Sequence, residues 1–251
     1  MDILVTGSKS GLGRFLQEWF NCYGYTRENR IEDLKIPYQT IIHCAFDPIK
    51  KLNSDNINRY IEDNFLLTKR LVTELNFQKF IYISSVDIYP KDEERHIEEE
   101  VISLENPVNA YTLVKLISEA FIEKHCKNYL IIRAGLLLGK YSRVNNLINL
   151  LKEPSPVLSL TGESTFNCVL HSDIYEFIRL AINKDLSGIY NAVSETVISL
   201  KLIADKYKKM PQYGSFTYKC GNIDNNKIKK LCSIFNKTSE NAVEQFIREC
   251  L

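Results

Sequence analysis

Short runs of apolar residues alternate along the chain with segments in which apolar residues recur every three or four positions. The runs, each expected to be a strand, are Ile3–Val5, Thr40–Ala45, Lys79–Ser85, Tyr129–Arg133 and Gly188–Asn191, with Tyr25–Arg27 as a shorter candidate. Helical spacing is found between them, above all in Asn53–Asn76, Asn109–Lys124 and Asp173–Asn183. Continuous apolar strands separated by helices predict an α/β fold with a doubly wound parallel sheet, because helices then cover both faces of each strand.

The pattern becomes less regular in the second half of the chain. Pro154 and Pro156 end a helical segment at Val144–Lys152, and the last third is more polar. These segments predict a small C-terminal lobe that binds substrate. The expected division is residues 1–135 plus 166–192 for the sheet domain and 136–165 plus 193–251 for the lobe.

Composition narrows the possible partners. The chain has 251 residues, 45% of them hydrophobic, which is enough for a sizeable core. A net charge of +1 gives no electrostatic reason to expect binding to nucleic acid or to an anionic membrane. Seven scattered cysteines show no metal-ligand spacing, so no metal is expected. With no leader segment and no apolar run that could span a membrane, the expected location is cytoplasmic.

The segment TGSKSGLG, Thr6–Gly13, follows the first apolar run directly. Gly7 permits a sharp turn, Gly11 leaves room for a phosphate, and Gly13 lets the next helix pack closely on the strand. The N–H groups and the dipole at the start of that helix would bind the pyrophosphate of a dinucleotide.

Tyr111 and Lys115 are four residues apart on a predicted helix, so their side chains share one face. An ammonium beside a phenol is expected to lower the pKa of the tyrosine and make it a general acid or base. Ser85, at the end of the preceding strand, would hold a substrate oxygen while hydride passes to or from a nicotinamide.

Together these features resemble the short-chain dehydrogenase/reductase superfamily, in particular its extended branch of nucleotide-sugar epimerases, dehydratases and reductases. The motifs that carry the resemblance cover nearly the whole chain: TGSKSGLG, IIHCAF (Ile41–Phe46), FIYISSVDIYP (Phe80–Pro90), YTLVK (Tyr111–Lys115), LIIRAGLLLG (Leu130–Gly139), HSDI (His171–Ile174) and IYNAVSE (Ile189–Glu195). The resemblance implies a Rossmann-type fold and a catalytic set of Ser85, Tyr111 and Lys115, in which Lys115 also bonds the nicotinamide ribose.

The resemblance also implies which residues contact cofactor and substrate. The expected cofactor residues are Thr6, Gly7, Lys9, Ser10, Gly11, Leu12, Gly13, Arg14, Arg27, Asp33, Leu34, Cys44, Ala45, Phe46, Asn64, Ile83, Ser84, Tyr111, Lys115, Arg133, Ala134, Gly135 and Leu136. The expected substrate residues are Asp47, Ser85, Val86, Asp87, Lys140 and Arg143.

Asp87 falls where related dehydratases and epimerases place a second acid/base group. If strand geometry continues past Ser85, a two-residue step puts Asp87 on the same face as Ser85. Asp87 would then exchange a proton with a sugar carbon, and the alternative is an exposed turn carboxylate.

Two positions depart from the nucleotide-sugar pattern. Leu136 and Phe166 stand where many of these enzymes have an asparagine and an arginine, and neither side chain can form the corresponding polar contacts. Lys140, Arg143 or Lys152 would have to contact a diphosphate instead. The glycine spacing, TGxxxGxG, is also that of the compact branch of the superfamily.

The end of the second strand bears on the choice of cofactor. Arg27 there, with Lys9 and Arg14 near the glycine turn, favours NADP over NAD, because a basic group would bind the 2′-phosphate. Glu28, beside Arg27, favours NAD instead, because a carboxylate there would accept hydrogen bonds from the ribose hydroxyls.

The predicted function is an NAD(P)-dependent oxidoreductase or epimerase that transfers hydride at a sugar carbonyl or carbinol, with Tyr111 as general acid/base. The alternatives are a reductase of small non-nucleotide carbonyl compounds and a dinucleotide-binding sensor without catalysis. A homodimer is expected through Asn53–Asn76 and Asn109–Lys124. The charged segment Lys91–Glu100 is interpreted as a solvated loop, and His43, His125 and His171 as structural residues.

Overall fold

The computed structural model describes residues 2–34, 36–49, 51–102 and 109–251. The strands are β1 (Ile3–Thr6), β2 (Tyr23–Tyr25), β3 (Tyr38–His43), β4 (Phe77–Ser85), β5 (Arg95–His96), β6 (Tyr129–Ala134), β7 (Leu136–Leu138), β8 (Thr165–Phe166), β9 (Cys168–Leu170), β10 (Gly188–Ala192), β11 (Ile198–Ser199) and β12 (Asn222–Ile223). The helices are α1 (Gly11–Phe20), α2 (Ile57–Ile61), α3 (Leu67–Glu74), α4 (Ala110–His125), α5 (Asn146–Lys152), α6 (His171–Asn183), α7 (Leu200–Lys206), α8 (Asn226–Leu231) and α9 (Ser239–Cys250). A π-turn (Glu62–Leu66) joins α2 to α3, and short 3-10 turns cover Ile31–Asp33, Val86–Ile88 and Ser233–Asn236.

Six strands form the central sheet, in the order β10-β6-β4-β3-β1-β2, and each pairs with its neighbours in parallel. The chain winds from β1 to β2 in one direction and from β3 to β10 in the other. The change of direction leaves a crevice between β1 and β3 at the carboxyl edge of the sheet. The predicted Rossmann-type, doubly wound α/β fold is confirmed.

Alternate residues of each strand face opposite sides of the sheet, as the strand geometry requires. In β1, Ile3 and Val5 pack with α1 and α6, whereas Leu4 packs on the opposite face, where α3 and α4 lie. Because both faces are covered, the inner parts of the central strands are apolar and buried, as in Leu4–Val5, Ile41–Ile42 and Leu130–Ile132.

The lobe has its own apolar core. It contains Leu147 and Leu151 of α5, Ile203 of α7 and Phe246 of α9. β7 pairs in parallel with β9, and β8 pairs antiparallel with β11. In β9, Val169 packs against the sheet while Cys168 and Leu170 pack in the lobe. Ile228 and Phe235, which the sequence assigned to the lobe, pack in the core of the sheet domain.

Several predicted boundaries shift. α1 ends at Phe20 because Asn21 adopts a left-handed conformation, with φ 47°, so β2 is Tyr23–Tyr25 and not Tyr25–Arg27. The long helix begins at Ile57, not Asn53, whose side chain accepts hydrogen bonds from the N–H groups of Asp55 and Asn56.

The interpretation of Lys91–Glu100 as a wholly solvated loop is wrong. His96 and Glu98 are buried. Glu98 Oε1 accepts the N–H of Asn191 at 2.9 Å, and β5 pairs with β12. The charges in this segment therefore satisfy buried polar groups, which composition does not reveal.

Within the described residues, no helix is long and apolar enough to cross a membrane.

Candidate active site

A cleft of about 1350 Å³ opens at the carboxyl ends of the strands, between the sheet and the lobe. Its sheet side is formed by the glycine turn after β1 and by the ends of β3, β4 and β6. Its lobe side includes Leu160, Phe166, Phe216 and Tyr218. In open α/β folds, ligands bind at this edge of the sheet.

The glycine turn is packed too closely to admit side chains. Gly7 has a φ of 71°, and a Cβ there would lie 2.9 Å from the backbone N of Ala45. A Cβ on Gly13 would lie 2.5 Å from the carbonyl oxygen of Gly7. Ser10, at the start of α1, makes no side-chain hydrogen bond to the helix, and the N–H of Gly11 donates to the carbonyl of Tyr141 at 3.0 Å. The N–H groups of Leu12 and Gly13 are left for an anion. The turn has the shape and donors that a dinucleotide pyrophosphate needs.

A chain of buried hydrogen bonds supports this turn from behind. Thr6 Oγ1 accepts the N–H groups of Cys44 and Ala45, so its own proton goes to His43 Nδ1, 2.6 Å away. The opposite ring nitrogen then donates to Thr68 Oγ1 at 2.9 Å. Burial lowers the pKa of His43 to about 3, so the ring is neutral and structural.

Asn64 lies in the π-turn and continues this chain. Its carbonyl oxygen accepts the Thr68 hydroxyl at 3.0 Å, and its side chain accepts the N–H of Asp47 at 2.6 Å. Thr6 and Asn64, both expected cofactor residues, therefore hold the loop after β3 from behind and do not line the cleft.

Arg27 lines the cleft, but its charge is already paired. Its guanidinium lies 2.8 Å from both Asp47 and Asp63. Arg59 approaches the same two carboxylates at 3.6 and 3.3 Å, so the four charges cancel. Lys9 is paired with Glu28. Arg27 and Lys9 are therefore both paired with acidic residues distant in sequence, and the preference for NADP that they suggested stays a prediction.

The other expected cofactor residues divide into two groups. Those that line the cleft are Gly7, Lys9, Ser10, Gly11, Leu12, Gly13, Cys44, Ala45, Phe46, Ile83, Tyr111, Ala134, Gly135 and Leu136. Those that lie outside it are Arg14, Asp33, Leu34, Ser84, Lys115 and Arg133.

Physical reasons account for the residues outside the cleft. Arg133 forms a buried ion pair with Glu119 of α4 at 2.8 Å. Arg14 pairs with Glu18 and stacks on Tyr141 at 4.1 Å. Asp33 belongs to a 3-10 turn, and Leu34 packs against the sheet core beside α3.

Ser85, Tyr111 and Lys115 come together where β4 ends beside the start of α4. Asn109 caps α4 by accepting the N–H of Thr112 at 2.9 Å, which fixes the first turn that carries Tyr111. The Tyr111 ring packs on Phe46, with centroids 4.9 Å apart. Ser85 and Tyr111 line the cleft, whereas Lys115 lies behind its wall.

The expected lowering of the Tyr111 pKa by Lys115 is wrong for this structure. The Lys115 ammonium donates to the carbonyl of Ile83 at 2.7 Å and lies 5.9 Å from the centre of the Tyr111 ring. Burial raises the pKa of Tyr111, the charge of Asp87 adds to the shift, and hydrogen bonding to Ser85 opposes it. Burial also lowers the pKa of Lys115 to about 8. At neutral pH Tyr111 is therefore a phenol.

Asp87 lines the cleft, although not by continuation of the strand. The chain leaves β4 at Ser85, whose hydroxyl accepts the N–H of Asp87 at 3.1 Å and starts the 3-10 turn. The Asp87 carboxylate accepts hydrogen bonds from Tyr218 at 2.6 Å and Lys91 at 2.9 Å.

Not all of the other expected substrate residues line the cleft. Asp47, Val86 and Arg143 line the cleft, and Lys140 does not. Arg143 lies 3.4 Å from the hydroxyl of Ser10, next to the glycine turn.

Sequence reasoning missed Tyr218, Lys91, Asp63 and Arg59. The charged spacing of Arg59 and Asp63, four residues apart, is the sort of local signal that could have indicated that pair. Tyr218 has no such signal, because only the packing of the lobe brings it to Asp87.

Known structures with low sequence identity share this fold. The UDP-glucuronic acid 4-epimerase of Bacillus cereus, in complex with UDP-glucuronic acid and NAD, superposes with a TM-score of 0.76 at 16% identity over 99% of both chains. MoeE5, in complex with UDP-glucose and NAD, gives 0.79 at 17% identity over 99% of both chains. The dTDP-4-dehydrorhamnose reductase of Bacillus anthracis, in complex with NADP, gives 0.78 at 20% identity over 99% of both chains.

A sequence search of curated proteins gave no significant match. The profile of the NAD dependent epimerase/dehydratase family, in contrast, matches residues 3–192, from β1 to the end of β10. This match spans the glycine turn, Ser85, and both Tyr111 and Lys115. The chain belongs to the NAD-dependent epimerase/dehydratase family.

Proposed function

We propose that this protein is an NAD(P)-dependent enzyme that transfers hydride at a carbonyl or carbinol carbon of a nucleotide sugar, with Tyr111 as the general acid/base. The observation that carries the proposal is the arrangement of Ser85 and Tyr111 in one cleft with a glycine turn suited to pyrophosphate. The solved relatives bound to UDP-sugars support the class of substrate.

Each residue has a role that follows from its surroundings. Ser85 would hold the substrate oxygen, and Tyr111, a phenol at neutral pH, would donate its proton to that oxygen as a carbonyl becomes an alcohol. The role of Lys115 comes from the family instead, whose members would use it to bond the nicotinamide ribose. Here its ammonium donates to the Ile83 carbonyl behind the cleft wall. The dinucleotide, once bound, would supply the hydride or accept it.

The cofactor is NAD or NADP. The relatives in complex with a cofactor contain one or the other. The preference for NADP loses its main support, since Arg27 is paired with two carboxylates. A titration of the protein with the oxidised and reduced forms of both dinucleotides, followed by fluorescence, decides between them.

Tyr111→Phe tests the chemical role. The substitution keeps the ring on Phe46 and removes only the hydroxyl, so turnover on a panel of nucleotide sugars should fall by about a thousandfold. Dinucleotide affinity should stay within about threefold of the wild type, because the ring keeps its place.

Tyr213→Phe is the matched control, since Tyr213 lies in the lobe and does not line the cleft. Unchanged turnover in Tyr111→Phe would remove the mechanism. Wild-type turnover of simple ketones alone would assign the second class of substrate, for which Leu136 and Phe166 in the cleft wall are the favouring observation. Dinucleotide binding without turnover on any panel would point to a sensor.

A homodimer and a cytoplasmic location belong to the same proposal. The face for the dimer is formed by exposed apolar residues of α2 and α4, namely Ile57, Ile61, Leu113 and Ile117.

A further inference from the structure

We propose that Arg143 binds the pyrophosphate of the dinucleotide cofactor, so that the lobe supplies the positive charge of the cofactor site. The sequence suggested Arg143 as a ligand of the substrate, and the inference gives this residue a different partner. It rests on the dinucleotide binding of the proposed function and not on the hydride transfer.

Arg143 differs from the other cations of the cleft because it has no acidic partner. The cationic side chains that line the cleft are those of Lys9, Arg27, Arg59 and Arg143. The first three form the ion pairs described above. Among the residues that the structure describes, Arg143 forms no ion pair, and its side chain donates one hydrogen bond, to Ser10 Oγ at 3.4 Å. Of these four cations, Arg143 is thus the one whose charge is not neutralised.

The contact with Ser10 places this charge at the glycine turn. Ser10 is the last residue before α1, and the N–H groups of Leu12 and Gly13 follow it. In this fold the pyrophosphate of a dinucleotide lies at the start of this helix. A guanidinium has several N–H groups in one plane, which suits it to phosphate oxygens. Arg143 therefore lies beside the part of the cleft that a pyrophosphate occupies.

The loop that carries Arg143, residues 139–145 between β7 and α5, also changes the donors of the turn. The carbonyl of Tyr141 accepts the N–H of Gly11 at 3.0 Å, so this N–H is lost to an anion. Arg143 follows Tyr141 by two residues. The loop thus removes a neutral donor and adds a charged one, and hydrogen bonds from a charged donor are about twice as strong.

The backbone on both sides of Arg143 is held in place without the guanidinium. Before it, the hydroxyl of Tyr141 donates to Glu18 of α1 at 2.6 Å. After it, the side chain of Asn145 caps α5 by accepting the N–H of Ile148 at 3.0 Å. Only the side chain of Arg143 has to adjust to a ligand, and its replacement should leave the loop in place.

The substrate end of the cleft is different in charge. Lys140 and Lys152, the other cations considered for a substrate diphosphate, do not line the cleft. The Lys140 ammonium lies over the ring of Tyr141, 5.0 Å from its centre. Among the described residues, the polar side chains on the lobe side of the cleft are neutral apart from Arg143, as in Asn146 and Ser159. We therefore expect the loss of Arg143 to weaken the binding of cofactor and not that of substrate.

The test is calorimetric titration with ADP-ribose and its 2′-phosphate form, which keep the pyrophosphate and lack the nicotinamide. Arg143→Gln should bind the better of these two ligands about tenfold more weakly than the wild type, because one charged contact is lost. Arg143→Lys keeps the charge and should lose about threefold. The difference between wild type and Arg143→Gln should shrink at high salt, since Arg143 is exposed.

Arg248→Gln is the matched control. Arg248 lies on α9 of the lobe, is exposed and does not line the cleft, so the variant has the same change in net charge and should bind ADP-ribose as the wild type does. A second titration adds UDP to protein saturated with a dinucleotide, and Arg143→Gln should leave that affinity unchanged.

The outcomes separate this inference from the proposed function. Equal affinity of wild type and Arg143→Gln for ADP-ribose overturns the inference, and so does an equal loss in Arg248→Gln. Weaker binding of UDP alone also overturns it and returns Arg143 to the substrate. Weaker binding of ADP-ribose in a protein that turns over no nucleotide sugar supports the inference and removes the hydride-transfer proposal. Absence of binding of both dinucleotides and both ADP-ribose forms to the wild type overturns both.

Discussion

The ammonium of Lys115 donates to a backbone carbonyl and lies against the rings of Phe46 and Tyr82, at 4.6 and 4.7 Å. A cation in such surroundings has lost most of its hydration, and one hydrogen bond with two aromatic faces replaces only part of it. At the residue scale, burial therefore has more effect on the ionisation of Lys115 and Tyr111 than their spacing on the helix.

Because Lys115 is buried, the free energy of unfolding should depend on its protonation. Burial lowers the pKa of Lys115 from 10.5 to about 8, so between these pH values the unfolded chain binds a proton that the folded chain does not. Stability from this source is fully present above pH 10.5 and is lost as the pH falls through about 8. Lys115→Met, which lacks the charge, should therefore be more stable than the wild type at pH 7, by up to about 3 kcal/mol.

Urea unfolding of both proteins from pH 7 to pH 10.5 measures the difference, in which the titration of all other groups cancels. The advantage of Lys115→Met should shrink as the pH rises. A difference that stays constant across this range would show that the ammonium is solvated in the folded protein.

At the scale of elements, the π-turn between α2 and α3 sets the charge at the cofactor end of the cleft. One extra residue in the turn places Asp63 against Arg27 and Asn64 against the loop after β3. A regular helix would shift these side chains around its axis, and insertions of this kind are frequent at functional sites.

Asp63→Asn should change cofactor preference. Removal of one carboxylate leaves Arg27 with Asp47 as its closer partner and gives the four-residue cluster a charge of +1. The affinity for NADPH should rise relative to that for NADH by about fivefold, or about 1 kcal/mol, because only NADPH carries the extra phosphate.

Binding titrations of both dinucleotides to the two proteins give this ratio. Asp55→Asn is the control, since Asp55 precedes α2, lies outside the cleft and makes the same change in net charge. An equal shift in both variants would assign the effect to overall charge and not to Arg27.

At the scale of the molecule, the exposed apolar residues of α2 and α4, which are buried in neither core, bear on the oligomeric state. Ile57 and Ile61 are each 40% exposed, and Leu113 and Ile117 are 42% and 39% exposed. Ile61→Glu should convert the proposed homodimer to a monomer, because a buried unpaired carboxylate opposes association.

Light scattering coupled to size exclusion measures the mass of each form. Leu202→Glu, on α7 of the lobe at 51% exposure, is the control and should leave the dimer intact. A wild-type protein that is monomeric at micromolar concentration would contradict the proposal.

The sequence by itself determined the sheet and the edge of it at which the cleft opens. Apolar runs such as Ile3–Val5 have one physical solution, a strand covered on both faces, and glycines at positions 7 and 13 leave space that no other residue can. Ser85 reaches the cleft by the same regularity, since parallel strands bring their carboxyl ends to one edge.

The tertiary structure alone decided the electrostatics. Asp63 neutralises Arg27 across 36 positions of sequence, and Tyr218 reaches Asp87 across 131. The pKa of Tyr111 is raised because burial, together with the charge of Asp87, outweighs the hydrogen bond to Ser85. Desolvation and long-range ion pairs depend on which surfaces come into contact after folding. The periodicity of a sequence does not indicate those contacts.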